Sequence, residues 1–128
     1  MKYLLDTHTF IWLIGYPDKL SKTVVQLIEN PDNSLYLSAA SGWEIAIKCS
    51  IGKLVLPERP ESFIPHQMKI IGIEELPVTL AHALGTTKLP EIHKDPFDRL
   101  LVSQAIAEKC PIMTSDSLIA RYDVQTIW

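Results

Sequence analysis

Short apolar runs alternate with segments of helical periodicity along the whole chain. The runs lie at residues 3–5, 35–37, 70–76, 111–114 and 124–128, the third of them together with a loop. Because they are largely apolar and only a few residues long, they indicate strands that are buried on both faces. Strands that alternate with helices favour a parallel sheet covered by helices. The sequence therefore predicts an α/β fold with three layers, α/β/α, and a central parallel sheet of about five strands.

The segments between the strands carry helix signals. Helices are predicted at residues 7–14, 21–28, 41–51, 60–68 and 79–86, then from residue 95 onward, with a one-turn helix at 117–121. In the third helix, the helical spacing predicts that four residues face the core: Trp43, Ala46, Ile47 and Ile51. The same spacing favours a core position over a base-stacking role for Trp12 and Trp43.

Composition narrows the class of protein. The chain has 128 residues, 47% of them hydrophobic and 21% charged, which predicts a single globular domain over residues 1–128. A net charge of −3 provides no general attraction for a polyanion, so nucleic acid would be held by local cations or by metal ions. Cys49 and Cys110 form no CxxC pair, and no signal peptide or membrane span is recognisable. These features predict a cytoplasmic protein.

The clearest helix start lies at residues 95–99. Asp95 suits the N-cap, Pro96 suits the first helical position, and Asp98 falls in the first turn. The helix that follows has its predicted apolar row at Leu101, Val102, Ala105 and Ile106. Asp98 precedes Leu101 and Val102 by three and four residues, so its side chain is expected on the core face, at its upper edge.

Four acidic residues fall at the ends of predicted elements. Asp6 ends the first strand, Asp116 follows the fourth, and Glu44 and Asp98 lie in the first turns of two helices. In a doubly wound sheet these ends share one edge, where ligands bind. Carboxylates that converge repel one another, and one or two divalent cations would remove that cost. Oxygen ligands without a His or Cys pattern favour Mg²⁺ or Mn²⁺.

Each acid also has an ordinary structural explanation. Asp6 and Asp116 are suitable N-caps for the helices that follow them. Glu44 is spaced to pair with Lys48 on a solvated helix face. Asp98 is favoured in a first turn by the helix dipole alone. These explanations do not account for all four acids lying at the same edge. N-capping fully explains Asp95, which is therefore not counted as a ligand.

Other residues near this edge have weaker signals. The hydroxyl groups of Thr7, Thr114 and Ser115 are candidate supports for a carboxylate or a bound water, although strand-end hydroxyls usually bond to backbone. Three cations are candidate contacts for RNA phosphates: Lys48, Lys94 and Arg99. His8 and His93 also lie near the edge, where a lone His is more often structural or solvated than catalytic.

With these residues in place, the chain resembles the PIN-domain family, in particular the VapC-type ribonuclease toxins of bacterial toxin–antitoxin pairs. The likeness spans nearly the whole chain and is carried by four motifs in order, at residues 3–8, 41–45, 95–101 and 114–116. It implies a single PIN-like nuclease domain with a five-stranded parallel sheet. It also implies that Asp6, Glu44, Asp98 and Asp116 hold the metal and that Thr114 supports them.

The resemblance further implies an activity and a partner. The activity is metal-dependent cleavage of single-stranded RNA, in which a metal-activated water attacks phosphorus and leaves 5′-phosphate and 3′-hydroxyl ends. The partner is a small antitoxin that blocks the site. An apolar run at residues 10–14 supports a docking surface, since a helix that is apolar all round needs cover on every side. Phe10 and Leu13 are expected in the core. Ile11 and Trp12 are the candidate surface for an antitoxin segment or a second copy of the chain.

Two other functions are considered. A catalytically silent PIN-like domain would serve only as a protein-binding module and would have no reason to bind Mn²⁺. A receiver-type signalling domain would need a phospho-acceptor Asp after the middle strand, but the chain has no Asp between Ser34 and Lys94. No GxGxxG motif or P-loop is present, which argues against nucleotide-binding enzymes.

Overall fold

The central layer of the molecule is a parallel sheet. A computed structural model describes residues 1–128. The sheet has five strands, which are β1 (Lys2–Leu5), β2 (Ser34–Ser38), β3 (Ile73–Leu76), β4 (Ile112–Met113) and β5 (Thr126–Ile127). Their spatial order is β3-β2-β1-β4-β5, and every neighbouring pair is parallel. The predicted α/β fold with a five-stranded parallel sheet is confirmed.

Six α-helices connect and cover the strands. They are α1 (Thr7–Gly15), α2 (Lys22–Glu29), α3 (Ala39–Ser50), α4 (Pro60–Ile71), α5 (Leu80–Gly85) and α6 (Pro96–Glu108). Short 3₁₀ helices add single turns at Pro17–Lys19, Thr86–Lys88 and Ile119–Arg121. None of these helices combines the length and the apolarity that crossing a lipid bilayer requires.

Strand β1 is the centre of the sheet and its switch point. The chain adds β2 and β3 on one side of β1, then returns to add β4 and β5 on the other. At its end, Leu5 is in register with Leu37 of β2 and with Met113 of β4. The residues after these three positions therefore meet at one edge, where ligands of doubly wound sheets bind.

The sheet divides the core into two parts. Tyr3 and Leu5 of β1 belong to one buried cluster, with Phe10 of α1, and Leu4 belongs to the other, with Val102 of α6. Alternate residues of a strand point to opposite faces, so this division means that helices cover both faces of the sheet. The three-layer arrangement follows directly.

Two helices face the core differently from the prediction. In α3 the buried residues are Ala40, Ser41, Glu44 and Ile45, whereas Trp43 is 65% exposed and Ile51 is 60% exposed. The prediction that Trp43, Ala46 and Ile51 face the core is wrong, since all three are exposed and the inward face of α3 is centred on a polar pair, Ser41 and Glu44. The structure thus places an aromatic ring on the surface beside that pair.

The other difference lies in α6. Leu101, Val102 and Ala105 are buried as predicted, but Ile106 is 46% exposed. Ser103 and Gln104 are buried instead, and Ser103 donates a hydrogen bond to the carbonyl of His82 in α5. Because α5 packs against this side of α6, the buried stripe turns towards α5 and leaves Ile106 outside.

Candidate active site

The carboxylate of Asp6 lies where β1 gives way to α1. It is the N-cap of α1, since its Oδ1 accepts a hydrogen bond of 2.7 Å from the Thr9 backbone N–H. Its Oδ2 accepts a hydrogen bond from the hydroxyl of Thr114, the first residue after β4. The Thr114 hydroxyl in turn accepts a bond of 3.0 Å from the backbone N–H of Asp116. One threonine therefore connects the acid that follows β1 with the acid that follows β4.

The carboxylate of Glu44 is buried, at 9% exposure, on the inward face of α3. Its Oε1 lies 2.8 Å from the Thr7 hydroxyl, which also lies 2.9 Å from the Ser41 hydroxyl. A hydroxyl carries one proton, so Thr7 donates to the carboxylate and accepts from Ser41. Oε2 pairs with the Lys48 ammonium at 2.9 Å. The Glu44–Lys48 pair considered from the sequence exists, but Glu44 is buried and does not lie on a solvated face.

The carboxylate of Asp98 lies in the first turn of α6, with its side chain 21% exposed. Its Oδ2 is 3.0 Å from Nε2 of His93. Burial raises the pKa of Asp98 from 3.8 to about 6, with a smaller increase from the charges of Asp95 and Asp116, while the hydrogen bond from His93 opposes the shift. Asp98 is therefore a carboxylate that the fold holds at an electrostatic cost.

Asp95 has a different environment. Its side chain is the N-cap of α6, and Oδ1 accepts hydrogen bonds from the backbone N–H groups of Phe97, at 2.9 Å, and Asp98, at 3.1 Å. Asp95 is therefore the N-cap of α6, as predicted.

A cleft of about 440 Å³ brings three of the four acids together. Glu44, Asp98 and Asp116 line it. The other residues lining it are His8, Ile47, Lys48, Ile51, Lys53, Asp95, Pro96 and Phe97. Asp6 does not line this cleft. It is joined to the cleft residue Asp116 through Thr114, and it caps the helix that carries Thr7, the partner of Glu44.

The donor atoms of the cleft suit a hard divalent cation in kind. They are carboxylate oxygens, and Oδ1 of Asp98 and Oδ2 of Asp116 have no hydrogen-bond partner. No group of three acidic, His or Cys side chains is arranged as a ready-made metal site. Two of the carboxylates are instead held by Lys48 and His93.

The three candidate phosphate contacts lie in different positions relative to the cleft. Lys48 lines the cleft, and Lys94 is exposed outside it. Arg99 is turned away from the cleft, because its guanidinium donates to the backbone carbonyls of Pro90, at 2.9 Å, and Thr86, at 3.2 Å. Ser115 is exposed and makes no side-chain hydrogen bond, unlike Thr7 and Thr114.

The structure places three further residues at or near the candidate site. Lys53 lines the cleft from the loop after α3. The exposed ring of Trp43 packs nearly edge-on against Phe97, a cleft residue, with 5.4 Å between the ring centroids. Tyr122 is hydrogen-bonded to His93. Lys53 and Tyr122 follow no periodic pattern, so no sequence signal marks them, and the helical spacing of Trp43 predicted a core position instead.

The candidate partner surface is only partly open. Phe10 is fully buried, as expected, while Ile11, Trp12 and Leu13 are half-buried. The Trp12 ring packs against Trp128, with 5.7 Å between the centroids, and the Lys19 ammonium lies 5.5 Å from it. Other parts of the same chain therefore cover part of the surface that Trp12 would offer.

Comparison with known proteins gives a family match and several similar folds. The PIN domain family model matches residues 3–125. Ribonuclease VapC16 of Mycobacterium tuberculosis (strain ATCC 25618 / H37Rv) is 45% identical over 56 residues. That match covers 44% of this chain and 40% of the relative, well under half of its length.

Among solved structures, VapBC2 from Rickettsia felis, bound to a DNA fragment from its promoter, superposes with a TM-score of 0.76 at 19% identity, over 100% of this chain and 99% of that one. DNA-bound VapBC from Salmonella typhimurium gives a TM-score of 0.73 at 18% identity, over 99% and 97% of the two chains. At these identities the likeness establishes a common fold.

Proposed function

Because the chain belongs to the PIN-domain family, we propose that it is a metal-dependent endoribonuclease and the toxin of a type II toxin–antitoxin pair, acting on single-stranded RNA in the cytoplasm. One observation carries the proposal. Glu44, Asp98 and Asp116 line a single cleft at the ligand-binding edge of the sheet, with Asp6 hydrogen-bonded to the same network. The charges of Asp95 and Asp116 raise the pKa of Asp98, and a bound cation would remove the cost of gathering such carboxylates in one cleft.

The proposed ligands of the cation are Asp6, Glu44, Asp98 and Asp116. When bound, Mg²⁺ or Mn²⁺ lowers the pKa of a water molecule and stabilises negative charge on the phosphodiester oxygens. The chain's own contribution is to hold the carboxylates in place before the substrate arrives. Thr114 orients Asp6 and the backbone of Asp116, and Thr7 orients Glu44. Such supporting hydrogen bonds set ligand geometry and typically affect metal affinity.

The proposed contacts for RNA lie around the cleft. Lys48 and Lys53 provide local positive charge in a chain whose net charge is −3. The exposed Trp43 ring, supported by Phe97, is a surface on which an unpaired base can stack. An aromatic surface next to a phosphate-binding cleft suits a single strand, since duplex bases are already stacked. The proposed substrate contacts therefore include Lys48, Lys53 and Trp43. Arg99 is not among them, because its guanidinium is turned away from the cleft.

The proposed partner is a small antitoxin protein. The solved structures named above are VapBC complexes, and this chain shares their fold. Ile11 and Trp12 remain the candidate docking residues, because both are half-buried and lie on the helix that Asp6 caps. A second copy of the chain is the alternative occupant of the same surface.

The test of the proposed activity uses purified protein and a pool of cellular RNAs. Cleavage is expected with Mg²⁺ or Mn²⁺ and none is expected with EDTA, and end mapping should find 5′-phosphate and 3′-hydroxyl termini. Asp116→Asn should abolish cleavage, whereas Asp18→Asn, which changes an exposed acid outside the cleft, is the matched control. A protein-binding module without catalysis would leave the RNA intact and would bind no Mn²⁺ through these acids.

A further inference from the structure

A chain of hydrogen bonds runs from the protein interior to Asp98. Nη1 of Arg99 lies 3.1 Å from the Tyr122 hydroxyl, and that hydroxyl lies 2.8 Å from Nδ1 of His93. Nε2 of His93 lies 3.0 Å from Oδ2 of Asp98. Tyr122 is buried at 4% exposure, and the His93 side chain is 13% exposed. Four side chains thus form one continuous path that ends at a carboxylate of the cleft.

The path has a direction, which its two charged ends set. A guanidinium only donates and an ionised carboxylate only accepts, so Arg99 donates to the Tyr122 oxygen, which keeps its own proton to donate, and Asp98 accepts from Nε2 of His93. The acceptor for that proton is Nδ1 of His93. A neutral imidazole that accepts at Nδ1 carries its proton on Nε2, and Nε2–H then donates to Asp98. Every donor in the path has an acceptor, and one tautomer of His93 is selected.

The start of the path is anchored firmly. Arg99 also donates to the backbone carbonyls of Pro90 and Thr86, and its guanidinium lies 6.0 Å from the centre of the Tyr122 ring. These contacts tie the segment before α6 to the end of α5 and to the C-terminal part of the chain. The position of the Tyr122 hydroxyl, and through it the plane of the imidazole, is therefore defined by backbone.

The His93–Asp98 contact is not needed to begin α6. Asp95 already accepts from the backbone N–H groups of Phe97 and Asp98, which is the whole function of an N-cap. His93 occupies Oδ2 of Asp98 and leaves Oδ1 without a partner. The contact accordingly controls how the carboxylate is presented.

We propose that His93 and Tyr122 are positioning residues of the site, which hold Asp98 so that Oδ1 is presented to a divalent cation. This inference rests on the proposed function only in taking Asp98 as a ligand. Neither residue lines the cleft. The opposing explanation is that the path only fastens the segment before α6, in which case Asp98 would bind a cation equally well without it.

The experiment compares Tyr122→Phe with Tyr36→Phe. Both rings pack against the same core cluster, but the Tyr36 hydroxyl has no hydrogen-bond partner, which makes Tyr36→Phe the matched control. Mn²⁺ affinity is measured by calorimetry, and nitrogen NMR of the metal-free protein reports the tautomer of His93. Tyr122→Phe is expected to weaken Mn²⁺ binding roughly tenfold and to increase the Nδ1–H tautomer. Tyr36→Phe should change neither quantity.

A second pair of variants tests the proposal even if the Tyr122→Phe protein does not fold. His93→Gln keeps an N–H donor near the position of Nε2, whereas His93→Leu has none, so the Gln variant should retain more Mn²⁺ affinity than the Leu variant. Equal affinity in these two variants, or unchanged affinity and tautomer in a folded Tyr122→Phe protein, would overturn the proposal. Absence of Mn²⁺ binding by the natural protein would also overturn it. If the protein binds Mn²⁺ and Tyr122→Phe weakens that binding, but no RNA is cleaved, the positioning role holds and the proposed activity fails.

Discussion

Asp6 and Thr114 are 108 residues apart in the sequence, and the hydroxyl of Thr114 donates a hydrogen bond to the Asp6 carboxylate. Both side chains are buried, at 5% and 3% exposure. A buried carboxylate oxygen that loses its only donor retains the full cost of desolvation. This contact therefore affects both the stability of the fold and the geometry of the candidate site.

Thr114→Val removes the hydroxyl while keeping the shape of the side chain. We expect it to lower the free energy of unfolding by about 1–3 kcal/mol and to reduce cleavage strongly, because Asp6 loses a donor and the backbone of Asp116 loses an acceptor. Thr114→Ser retains the hydroxyl and serves as the control. Chemical denaturation and single-turnover kinetics measure the two effects. A Val variant as stable and active as the Ser variant would contradict the role assigned to this hydroxyl.

Asp98→Asn tests the cost of burying a carboxylate. The folded-state pKa of Asp98 is raised from 3.8 to about 6, so ionising this group in the folded protein costs stability at neutral pH. In EDTA, the variant should be more stable than the natural protein by about 1 kcal/mol above pH 6, after allowance for its partial exposure and the altered bond to His93.

The sign of the pH dependence follows from linkage. Between pH 3.8 and about 6, Asp98 binds more protons in the folded state than in the unfolded state. The contribution of Asp98 to the free energy of unfolding of the natural protein therefore falls as pH rises. The advantage of Asp98→Asn should therefore disappear as pH is lowered through that interval, and thermal unfolding across the pH range measures it. A difference in stability that does not depend on pH would show that burial of the charge is not its cause. With Mn²⁺ present, the variant should lose affinity for the ion.

Asp95→Ser separates the helix cap from the site. Serine keeps an oxygen that can accept from the backbone N–H groups of α6, so the change in stability should be well below the ~1 kcal/mol typical of losing a cap. Cleavage should largely persist. Asp95→Ala, which removes the cap, is the comparison for stability. Loss of cleavage in a stable Asp95→Ser protein with normal Mn²⁺ affinity would show that Asp95 is more than a helix cap.

Trp43→Ala tests the proposed base-stacking surface. The ring is 65% exposed, so its removal should change Tm little. Because stacking of one base contributes ~1–3 kcal/mol, we expect KM for single-stranded RNA to rise roughly tenfold with little change in kcat. Tyr16→Ala removes another exposed ring outside the cleft and should leave KM unchanged. An unchanged KM in Trp43→Ala would exclude the stacking role.

Trp12→Ala tests the proposed docking surface. Trp12 packs on Trp128, so a moderate loss of stability, on the order of 2 kcal/mol, is expected from packing alone. Binding to the cognate antitoxin, measured by calorimetry, and size in solution should both change if Trp12 contacts a partner or a second copy. A stable variant with normal antitoxin binding and unchanged size would return Trp12 to a purely structural role. Ile28→Ala, at a half-buried apolar position on α2, controls for general loss of packing.

The fold was predictable because the strands that lead into the site have clear signals. The apolar run ending in Asp6 and the run ending in Thr114 read as buried strands, and parallel topology alone then brings their ends together. The capping role of Asp95 was predictable for the same local reason, since Pro96 marks the first helical position. Local chemistry determined each of these features.

Features that depend on the docking of one element against another were not predictable. Trp43 has the spacing of a core residue, but the hydrogen bonds of Thr7 with Ser41 and Glu44 turn a different face of α3 inward. Tyr122 reaches His93 only because a 3₁₀ turn near the C-terminus packs beside α6. Neither contact produces a periodic pattern in the sequence.

The central position of β1 has a consequence during protein synthesis. Asp6 and Glu44 leave the ribosome early, but Asp98, Thr114 and Asp116 are made last, and Thr114 reaches Asp6 only after β4 has paired beside β1. A nascent chain that lacks β4 therefore holds three of the four carboxylates but not the Thr114 hydroxyl that supports Asp6. The site can therefore be completed only once the segment that carries β4 has been synthesised and has paired with β1.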